Sequence, residues 1–167
     1  MDSKHQAGLQ FPVQIRFDDI DSYGHVNNVT FLTYLQDARV QLIHRSLGSA
    51  AGAGAAEEDT FHDLVGKDNF ALVGRHEIEY LQPLNFRPVP VYVNIWVTSV
   101  GKSSFEFGYA VAEQDGAKIY AQATSGMVLM NKATDKPIEL TQAQHHALQE
   151  WSGAPVEFRR RPKPRNA

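Results

Sequence analysis

The sequence has 167 residues, of which 43% are hydrophobic and 21% are charged, as is typical of one globular domain with its own core. It contains no cysteine, which excludes disulfides, cysteine nucleophiles and thiolate metal sites. No apolar run approaches the roughly 20 residues of a membrane-spanning helix, and the N-terminal segment lacks the apolar stretch of a signal peptide. These features favour a cytoplasmic protein without a membrane span.

The charge distribution is uneven, although the formal net charge is only −3. Residues 158–167 carry five of the sixteen basic side chains and no acidic one, so residues 1–157 are acidic overall. An acidic body binds nucleic acid poorly, because phosphate neutralisation requires a basic face. We therefore expect no nucleic-acid partner, and we expect residues 158–167 to form a basic, disordered tail.

The beginning of the chain predicts a flexible segment followed by a short strand. Residues 1–12 have no clear period, and we expect them to be a flexible N-terminus. Residues 13–18 alternate, with Val13, Ile15 and Phe17 on one face and polar side chains on the other. A period of two indicates a strand that buries one of its faces.

A long helix is predicted from Val29 to about Leu47. Asn27 or Asn28 is a suitable N-cap, and Gly48 is a suitable C-terminal stop. The apolar residues that recur at spacings of three and four are Phe31, Tyr34, Leu35, Ala38, Leu42 and Ile43.

The helix is followed by a segment of low complexity, which reads SAAGAGAAEEDT over residues 49–60. We expect a flexible insertion over residues 49–66. The GAGAA run is not a dinucleotide-binding loop, because no strand leads into it and the third glycine is missing.

From Asn69 onwards, alternation predicts four long strands. Gly101 opens one of the turns between them, and Asp115-Gly116 indicates a type I′ hairpin turn. Three prolines interrupt the connection between the first two strands. The alternating apolar positions are Phe70, Leu72, Ile78, Tyr80, Val91, Val93, Ile95, Val97, Phe105, Phe107, Tyr109, Val111, Ile119, Ala121, Ala123, Met127 and Leu129.

The order of these elements predicts an α+β domain over residues 13–140, with one long helix against an antiparallel sheet of five to six strands. A second, short helix is expected to begin after Thr141, within a C-terminal extension of residues 141–157.

A cluster of polar residues directly precedes the long helix. A helix N-terminus has unpaired N–H groups and a positive potential that can polarise a carbonyl. A carboxylate beside it can act as a nucleophile or as a general base, so the segment suits cleavage of an activated acyl group. The same residue types are ordinary caps and turn formers, and a purely structural role also fits them. The cluster consists of Asp18, Asp19, Asp21, Gly24, His25, Asn27 and Asn28.

Two segments resemble the 4-hydroxybenzoyl-CoA thioesterase-type proteins of the hotdog superfamily. The first is RFDDIDSYGHVNNVTFLTYLQDAR, which is similar to that family's D-x-x-G-H/I-V-x-N/Y pattern leading into a long helix. The second is EYLQPLNFRPVPVYVNIWVTSVGKSSFEF, with a Y-x-x-P connection before a strand that ends near a K-S or S-S pair. The resemblance implies a hotdog fold, with the long helix wrapped by the sheet, over about residues 12–135.

The resemblance also implies roles for individual residues. Asp21 matches the family's catalytic aspartate, and Asn28 lies where a backbone N–H polarises the thioester carbonyl. Gly24 permits a ligand or the backbone to approach closely. His25 matches the histidine of the GHVNN form, although Tyr23 departs from the D-x-N-x-H motif of plant acyl-carrier-protein thioesterases.

Some hotdog thioesterases use a glutamate of the central helix instead. Gln36 and Asp37 lie near that level here, but Gln36 cannot act as a base, and Asp37 is equally suited to a surface ion pair. The aspartate of the loop is therefore favoured.

Lys102, Ser103 and Ser104 lie where the resembling family contacts the CoA nucleotide or pantetheine. An ammonium attracts phosphate, and hydroxyl or turn N–H groups can donate hydrogen bonds to it. A plain exposed hairpin turn explains the same residues equally well. Arg75 and Arg87 are weaker candidates for a phosphate contact.

Together these implications describe an acyl-CoA thioesterase that needs no metal or other cofactor and that forms a homodimer or homotetramer. The residues show no G-x-S-x-G elbow, no P-loop and no zinc-protease spacing around His145 and His146. Two alternatives stay open. One is a thioesterase that acts on acyl carrier protein, and the other is a non-catalytic hotdog module that binds acyl-CoA.

Overall fold

The computed structural model describes residues 9–159 of the chain. Within that range there are six strands and three α-helices. In chain order they are β1 (Leu9–Val13), α1 (Asn28–Ile43), α2 (Phe61–Val65), β2 (Asn69–Tyr80), β3 (Val91–Val100), β4 (Ser104–Ala112), β5 (Ile119–Asn131), β6 (Lys136–Pro137) and α3 (Gln142–Glu150).

The described strands form one antiparallel sheet in the order β1-β3-β4-β5-β2, and the short β6 pairs with the end of β5. Strands β1 and β2 are therefore the two edges. The predicted α+β class and the sheet of five to six antiparallel strands are confirmed. The inward-facing core residues of β3 and β4 are Val91, Val93, Ile95, Val97, Phe105, Phe107, Tyr109 and Val111, all of them buried.

The long helix α1 contributes one face to this core. Asn27 is its N-cap, with a side-chain oxygen that accepts a hydrogen bond from the Val29 N–H at 3.0 Å. The helix ends at Ile43, one turn earlier than predicted, and Gly48 is not its stop. The chain instead turns into backbone pairing, in which the Gly48 N–H donates to the Glu57 carbonyl. The buried residues of α1 are Phe31, Tyr34, Leu35, Ala38, Arg39 and Leu42.

The first strand lies earlier in the chain than predicted. Residues 9–12, expected to be flexible, belong to β1, which pairs with β3 between Leu9↔Ile95 and Val13↔Val91. Phe17 does not continue the buried face, because the chain has already turned into a 3₁₀ helix there and its ring is 81% exposed. Residues 1–8 lie outside the described part of the chain.

The segment expected to be a flexible insertion, residues 49–66, is packed against the domain. Ala50 and Phe61 are buried, and the Phe61 ring lies 5.6 Å from that of Phe105. Thr60 caps α2, since its hydroxyl accepts a hydrogen bond from the Asp63 N–H. The prediction was wrong because three buried apolar residues, Ala50, Phe61 and Val65, attach a segment of otherwise low complexity.

Two details of the strands differ from the sequence pattern. A bulge between Val73 and Arg75 shifts the phase of β2, so Val73 packs against the core while Leu72 is 45% exposed. The predicted type I′ turn is also wrong, because Gly116 has a positive φ of 72° and Asp115 does not. The connection between β4 and β5 is a longer loop.

The chain after α3 crosses the outer face of the sheet. We name residues 152–159 the C-terminal strap. The Trp96 indole N–H donates to the Ala154 carbonyl at 2.7 Å, and the Gln122 amide donates to the Glu157 carbonyl at 2.7 Å. The strap thus extends from β3 past β5 towards the edge strand β2.

Helix α3 follows Thr141, with a capping box formed by Thr141 and Gln144. The predicted disorder of residues 158–167 is wrong at Arg159, whose N–H donates to the Glu79 carboxylate at 3.3 Å. The rest of that tail, residues 160–167, lies outside the described residues. Among residues 9–159, no helix has the length and apolar character needed to cross a membrane.

Candidate active site

A buried carboxylate fixes the loop that precedes α1. Asp19 is only 3% exposed, and it accepts hydrogen bonds from the Tyr34 hydroxyl at 2.6 Å and the Arg16 N–H at 2.8 Å. Burial would raise the pKa of Asp19, but the hydrogen bonds from Tyr34 and Arg16, with the Arg16 charge, outweigh burial and lower that pKa. Asp19 is therefore a charged anchor that ties the loop to the helix.

Two residues further on, Asp21 is held at the surface of the same loop. One of its carboxylate oxygens, Oδ1, accepts hydrogen bonds from the backbone N–H groups of Tyr23 at 2.8 Å and His25 at 3.3 Å. The Asp21 N–H in turn donates to the His25 carbonyl at 2.8 Å. Gly24 completes this turn with a φ of 83°, a conformation that a residue with a side chain rarely adopts. The carboxylate is thus oriented by backbone and not by other side chains.

A second loop, between β2 and β3, supports the first. The Val26 N–H donates to the Leu84 carbonyl at 2.7 Å, and His25 forms an isolated antiparallel bridge with Asn85. At the rim, the rings of Phe17 and Phe86 meet edge to face at 5.9 Å. These contacts hold the Asp21 turn against the end of β2.

The N-terminus of α1 faces the same region. Asn27 caps the Val29 N–H, whereas the Asn28 N–H has no hydrogen-bond acceptor among residues 9–159. The Asn28 carbonyl accepts a 2.7 Å hydrogen bond from the Tyr80 hydroxyl at the end of β2. An unpaired N–H at a helix N-terminus is a donor available to a ligand oxygen.

A pocket of about 390 Å³ lies where these elements meet. Asp21, His25 and Asn28, which were singled out from the sequence, all line it, and Gly24 lies in the adjoining turn. The complete lining is Asp21, His25, Val26, Asn28, Phe31, Tyr80, Leu81, Gln82, Pro83 and Leu84.

The geometry is therefore a carboxylate and a helix N–H without an acceptor among residues 9–159 at one opening. A model of the thioesterase-like superfamily matches residues 15–151. The chain belongs to the thioesterase-like superfamily. Its antiparallel sheet and long helix form a hotdog fold, as the sequence resemblance implied.

Solved structures of thioesterase-like proteins share this fold at low sequence identity. The probable thioesterase YbaW of Escherichia coli superposes with a TM-score of 0.70 at 19% identity, covering 85% of this chain and 97% of YbaW. A thioesterase of Thermus thermophilus, solved with coenzyme A and Zn, has a TM-score of 0.65 at 24% identity over 88% and 96% of the two chains. The Staphylococcus aureus DHNA-CoA thioesterase has a TM-score of 0.68 at 19% identity over 84% and 88%.

A curated relative is the uncharacterised protein YsmA of Bacillus subtilis (strain 168). It is 24% identical over 137 residues, which cover 81% of this chain and 82% of YsmA.

The turn at Lys102, Ser103 and Ser104 lies far from the pocket of this thioesterase-like chain. Ser104 pairs with Val128 of β5, whereas Tyr80 pairs with Ala121. Those two positions on β5 are about 23 Å apart at the rise of an extended strand. Within one chain, the predicted CoA-binding turn is therefore too far from Asp21 to share a site with it.

Lys102 itself forms an exposed ion pair with Glu139, at 2.7 Å between Nζ and Oε1. The hydrogen bond from Lys102 to Glu139 and the negative charge of Glu139 raise the pKa of Lys102, so the ammonium is charged at neutral pH. An exposed pair of this kind contributes little to stability, because solvent screens its attraction.

The other candidates from the sequence have different surroundings. Gln36 and Asp37 are exposed on α1 and do not line the pocket. Arg75 pairs with Glu77, whereas Arg87 pairs with Glu113. The hydrogen bond from Arg87 to Glu113 raises the pKa of Arg87, burial opposes this rise, and the negative charge of Glu113 adds to it, so Arg87 acts as a structural cation. Within residues 9–159, no group of three or more His, Asp or Glu side chains is arranged to hold a metal ion.

Residue-level reasoning missed the contribution of Phe31 and Tyr80 to the site. Both had been interpreted as core positions, but their rings meet edge to face at 5.5 Å beside the pocket. The signal was present in the Y-x-x-P segment from Tyr80 to Pro83. That this segment lines the pocket could be recognised only in the fold, where β2 lies next to the N-terminus of α1.

Proposed function

We propose that the protein is an acyl-CoA thioesterase, which hydrolyses an acyl-CoA to a free acid and CoA. The observation that carries this proposal is the arrangement of Asp21 and Asn28. A carboxylate held by two backbone N–H groups lines the same pocket as a helix N-terminus whose first N–H has no acceptor among residues 9–159. Membership of the thioesterase-like superfamily supports the reaction class.

In the proposed reaction, the thioester carbonyl oxygen accepts a hydrogen bond from the Asn28 N–H. The developing negative charge on that oxygen is stabilised by this donor and by the positive end of the α1 dipole. The Asp21 carboxylate supplies the electron pair that initiates attack on the carbonyl carbon. His25 contributes the backbone N–H that helps to orient Asp21.

Two routes satisfy the balance of atoms. If Asp21 is a general base, it takes a proton from water while the water oxygen attacks, and the C–S bond breaks to release CoA thiolate, which then takes that proton. If Asp21 is a nucleophile, its oxygen forms an anhydride as the thiolate leaves, and water then cleaves the anhydride. Single turnover in ¹⁸O-labelled water distinguishes them, because the nucleophilic route alone incorporates label into Asp21 when water attacks the aspartyl carbonyl.

The CoA phosphates require cations that the pocket does not supply, since no lysine or arginine lines it. We propose that a second copy of the chain supplies them. Strand β2 is twelve residues long, forms one edge of the sheet and exposes Leu72 and Tyr80 by 45% and 40%. An exposed edge of this length is well suited to pairing with another chain.

An antiparallel pairing of two β2 strands places opposite ends of the two sheets together. The Tyr80 end of one strand then lies beside the Asn69 end of the other, near which Ser104 pairs with Val128. The Lys102–Ser104 turn of the second copy would lie about three strand spacings, or about 14 Å, from the pocket. This arrangement supports a homodimer with a composite site, which a homotetramer could also contain.

The proposal is tested by assaying the purified protein against a panel of acyl-CoA thioesters, with release of CoA thiol as the readout. Hydrolysis that exceeds the uncatalysed rate by several orders of magnitude supports it. Binding of acyl-CoA without turnover indicates the non-catalytic module instead. Turnover of acyl-carrier-protein thioesters without turnover of acyl-CoA indicates a thioesterase that acts on acyl carrier protein.

A further inference from the structure

Glu79 joins three elements at the pocket end of the sheet. Its carboxylate accepts a 2.8 Å hydrogen bond from the Gln122 amide of β5. The Arg159 N–H of the C-terminal strap donates to both carboxylate oxygens at 3.3 Å, and the Arg159 Nε lies 3.7 Å from Oε1. Only 21% of the Glu79 side chain is exposed, so these donors replace much of its water shell. Strand β2 is thereby tied to β5 and to the strap through one side chain.

The residue that follows Glu79 belongs to the candidate active site. Successive side chains of a strand point to opposite faces of the sheet, so Glu79 lies on the outer face and Tyr80 on the face that carries α1. The Tyr80 hydroxyl donates to the Asn28 carbonyl, and its ring meets that of Phe31 beside the pocket. The two residues therefore connect the strap on one face with the helix N-terminus on the other.

Within one chain, the end of β2 has few other restraints. Among residues 9–159, β2 pairs only with β5, and this pairing ends at Tyr80↔Ala121. The N–H groups of the next two residues share a single acceptor, the Tyr120 carbonyl. The terminus of an edge strand opens locally at a low free energy unless side chains hold it. Glu79 provides such a contact on the outer face.

The strap is anchored at its other end on β3. The Gly153 N–H donates to the Val97 carbonyl at 2.9 Å, and the Trp96 indole donates to the Ala154 carbonyl. The indole lies directly against Gly153, where an added Cβ would be only 2.6 Å from the Trp96 Cδ1. From this anchor the strap crosses β4 and β5 to Glu79, which is about 14 Å at the spacing of strands.

We propose that Glu79 is a positioning residue of the thioesterase site and that the C-terminal strap acts through it. The inference rests on the proposed function and adds a control of the site from the opposite face of the sheet. The strap holds Glu79, Glu79 fixes the end of β2, and Tyr80 transfers this position to the first turn of α1. The effect falls on kcat more than on KM, because the Asn28 N–H stabilises charge that develops in the transition state.

Glu79→Ala tests this role directly. It should lower kcat by about threefold to tenfold and change KM by less than about twofold, measured well below the Tm of each variant. Glu79→Gln should retain most of the kcat, because its amide oxygen can still accept hydrogen bonds from Gln122 and Arg159. Glu77→Ala is the matched control, since Glu77 lies on the same face of β2 and pairs with Arg75. It should keep the wild-type kcat.

A double-mutant cycle tests whether Glu79 acts through Tyr80. If it does, adding Glu79→Ala to Tyr80→Phe should lower kcat by less than about twofold, whereas independent effects would multiply. Gly153→Val perturbs the strap from a distance, because its side chain would clash with Trp96 without contacting β2. It should lower kcat as Glu79→Ala does, and the two substitutions together should lower it no further.

Amide hydrogen exchange measures the same coupling without turnover. In Glu79→Ala, peptides that cover residues 28–35 should exchange faster than in the wild type, because the first turn of α1 is held less firmly. Glu77→Ala should leave their exchange unchanged. Light scattering on each variant records the oligomeric state.

A wild-type kcat in Glu79→Ala, multiplying losses in the cycle, or an equal loss in Glu77→Ala would overturn the inference and leave the thioesterase function intact. A changed oligomeric state of Glu79→Ala would also overturn it, since the loss would then follow from assembly. An absence of hydrolysis by the wild type would instead refute the proposed function. Exchange over residues 28–35 would then decide alone whether Glu79 positions the helix, and unchanged exchange in Glu79→Ala would show that it does not.

Discussion

The Tyr80 hydroxyl donates a 2.7 Å hydrogen bond to the backbone carbonyl of Asn28. This bond joins the last residue of the edge strand β2 to the first residue of the central helix, whose N–H we propose as the oxyanion donor. Burial raises the pKa of Tyr80, so the hydroxyl remains a neutral donor at physiological pH. The strand thereby fixes the position of the helix terminus.

Tyr80→Phe should leave the fold intact but lower kcat, because the helix terminus loses one positioning hydrogen bond. A hydrogen bond of this kind has a net value of about 1 kcal/mol, which corresponds to a roughly fivefold loss of kcat. Steady-state kinetics on the best substrate of the acyl-CoA panel measure the effect. Tyr92→Phe is the control, since the Tyr92 hydroxyl bonds to no described residue and Tyr92 does not line the pocket. Equal losses in the two variants would exclude a positioning role for Tyr80.

Asp19→Asn should destabilise the domain by about 1–3 kcal/mol at pH 7, because a buried charged acceptor of hydrogen bonds from Tyr34 and Arg16 is replaced. The pKa of Asp19 is lower in the folded state than its unfolded value of about 4. The stability that ionised Asp19 contributes is therefore present above the unfolded pKa and is lost as the pH falls through the folded pKa. Urea denaturation of both proteins from pH 7 to pH 3 measures this. A difference in unfolding free energy that does not shrink at acidic pH would contradict the assignment.

Removal of residues 160–167 should leave both the Tm and the turnover unchanged, as expected for a basic tail with little apolar mass. Removal of the whole C-terminal strap together with these residues should lower the Tm by about 5–10 °C, because the hydrogen bonds to Trp96, Gln122 and Glu79 are lost. Differential scanning calorimetry of the two truncations measures both effects. A large loss of Tm or activity in the shorter truncation would show that the tail docks or binds ligand.

The sequence predicted most of the fold because strands β3 to β5 and helix α1 follow clear periods. It failed where tertiary contacts override the local pattern. Phe17 continues an alternation but leaves the core, because the Asp19 anchor turns the chain. The segment around Phe61 has the composition of a flexible loop, yet the buried side chains of Ala50, Phe61 and Val65 attach it to the domain.

The candidate site was predictable in part. Asp21, His25 and Asn28 are near each other in sequence and share a pocket, so a local motif was sufficient to find them. The sequence could not show that Asp19 is the buried carboxylate and Asp21 the one at the surface. That difference arises from the contact between Asp19 and Tyr34. Nor could the sequence show that Lys102 is distant from Asp21 within one chain, since this depends on strand register.

Lys102→Ala should raise KM more than it lowers kcat, because a CoA phosphate lies far from the reacting carbon. The defect should be smaller for an acyl-pantetheine substrate, which has no nucleotide. Lys67→Ala, an exposed lysine with no proposed role, serves as the control. Equal defects on both substrates would exclude the phosphate contact.

Mixing of variants tests whether Lys102 acts on the site of a second copy. Asp21→Asn and Lys102→Glu should each be impaired alone, whereas unfolding and refolding them together should restore about a quarter of the wild-type activity, since half of the dimers have one intact site. No recovery on mixing, with dimers verified by light scattering, would place Lys102 outside the composite site.

The central claim is the role of the Asp21 carboxylate. Asp21→Asn preserves the shape of the side chain but removes its negative charge and its basic lone pair. We predict a fall in kcat of at least about 10²-fold with an unchanged or lower KM, because ground-state contacts survive. Asp18→Asn is the appropriate control, since Asp18 is an exposed acid of the same loop, whereas Asp19 is a structural anchor.

The most direct measurement is therefore the kcat of Asp21→Asn beside that of Asp18→Asn, on the best substrate of the panel and with both Tm values recorded. A large loss confined to Asp21→Asn, in a protein that melts like the wild type, is the result this account predicts. Near-normal turnover of a folded Asp21→Asn protein, or an equally large loss in Asp18→Asn, would contradict it.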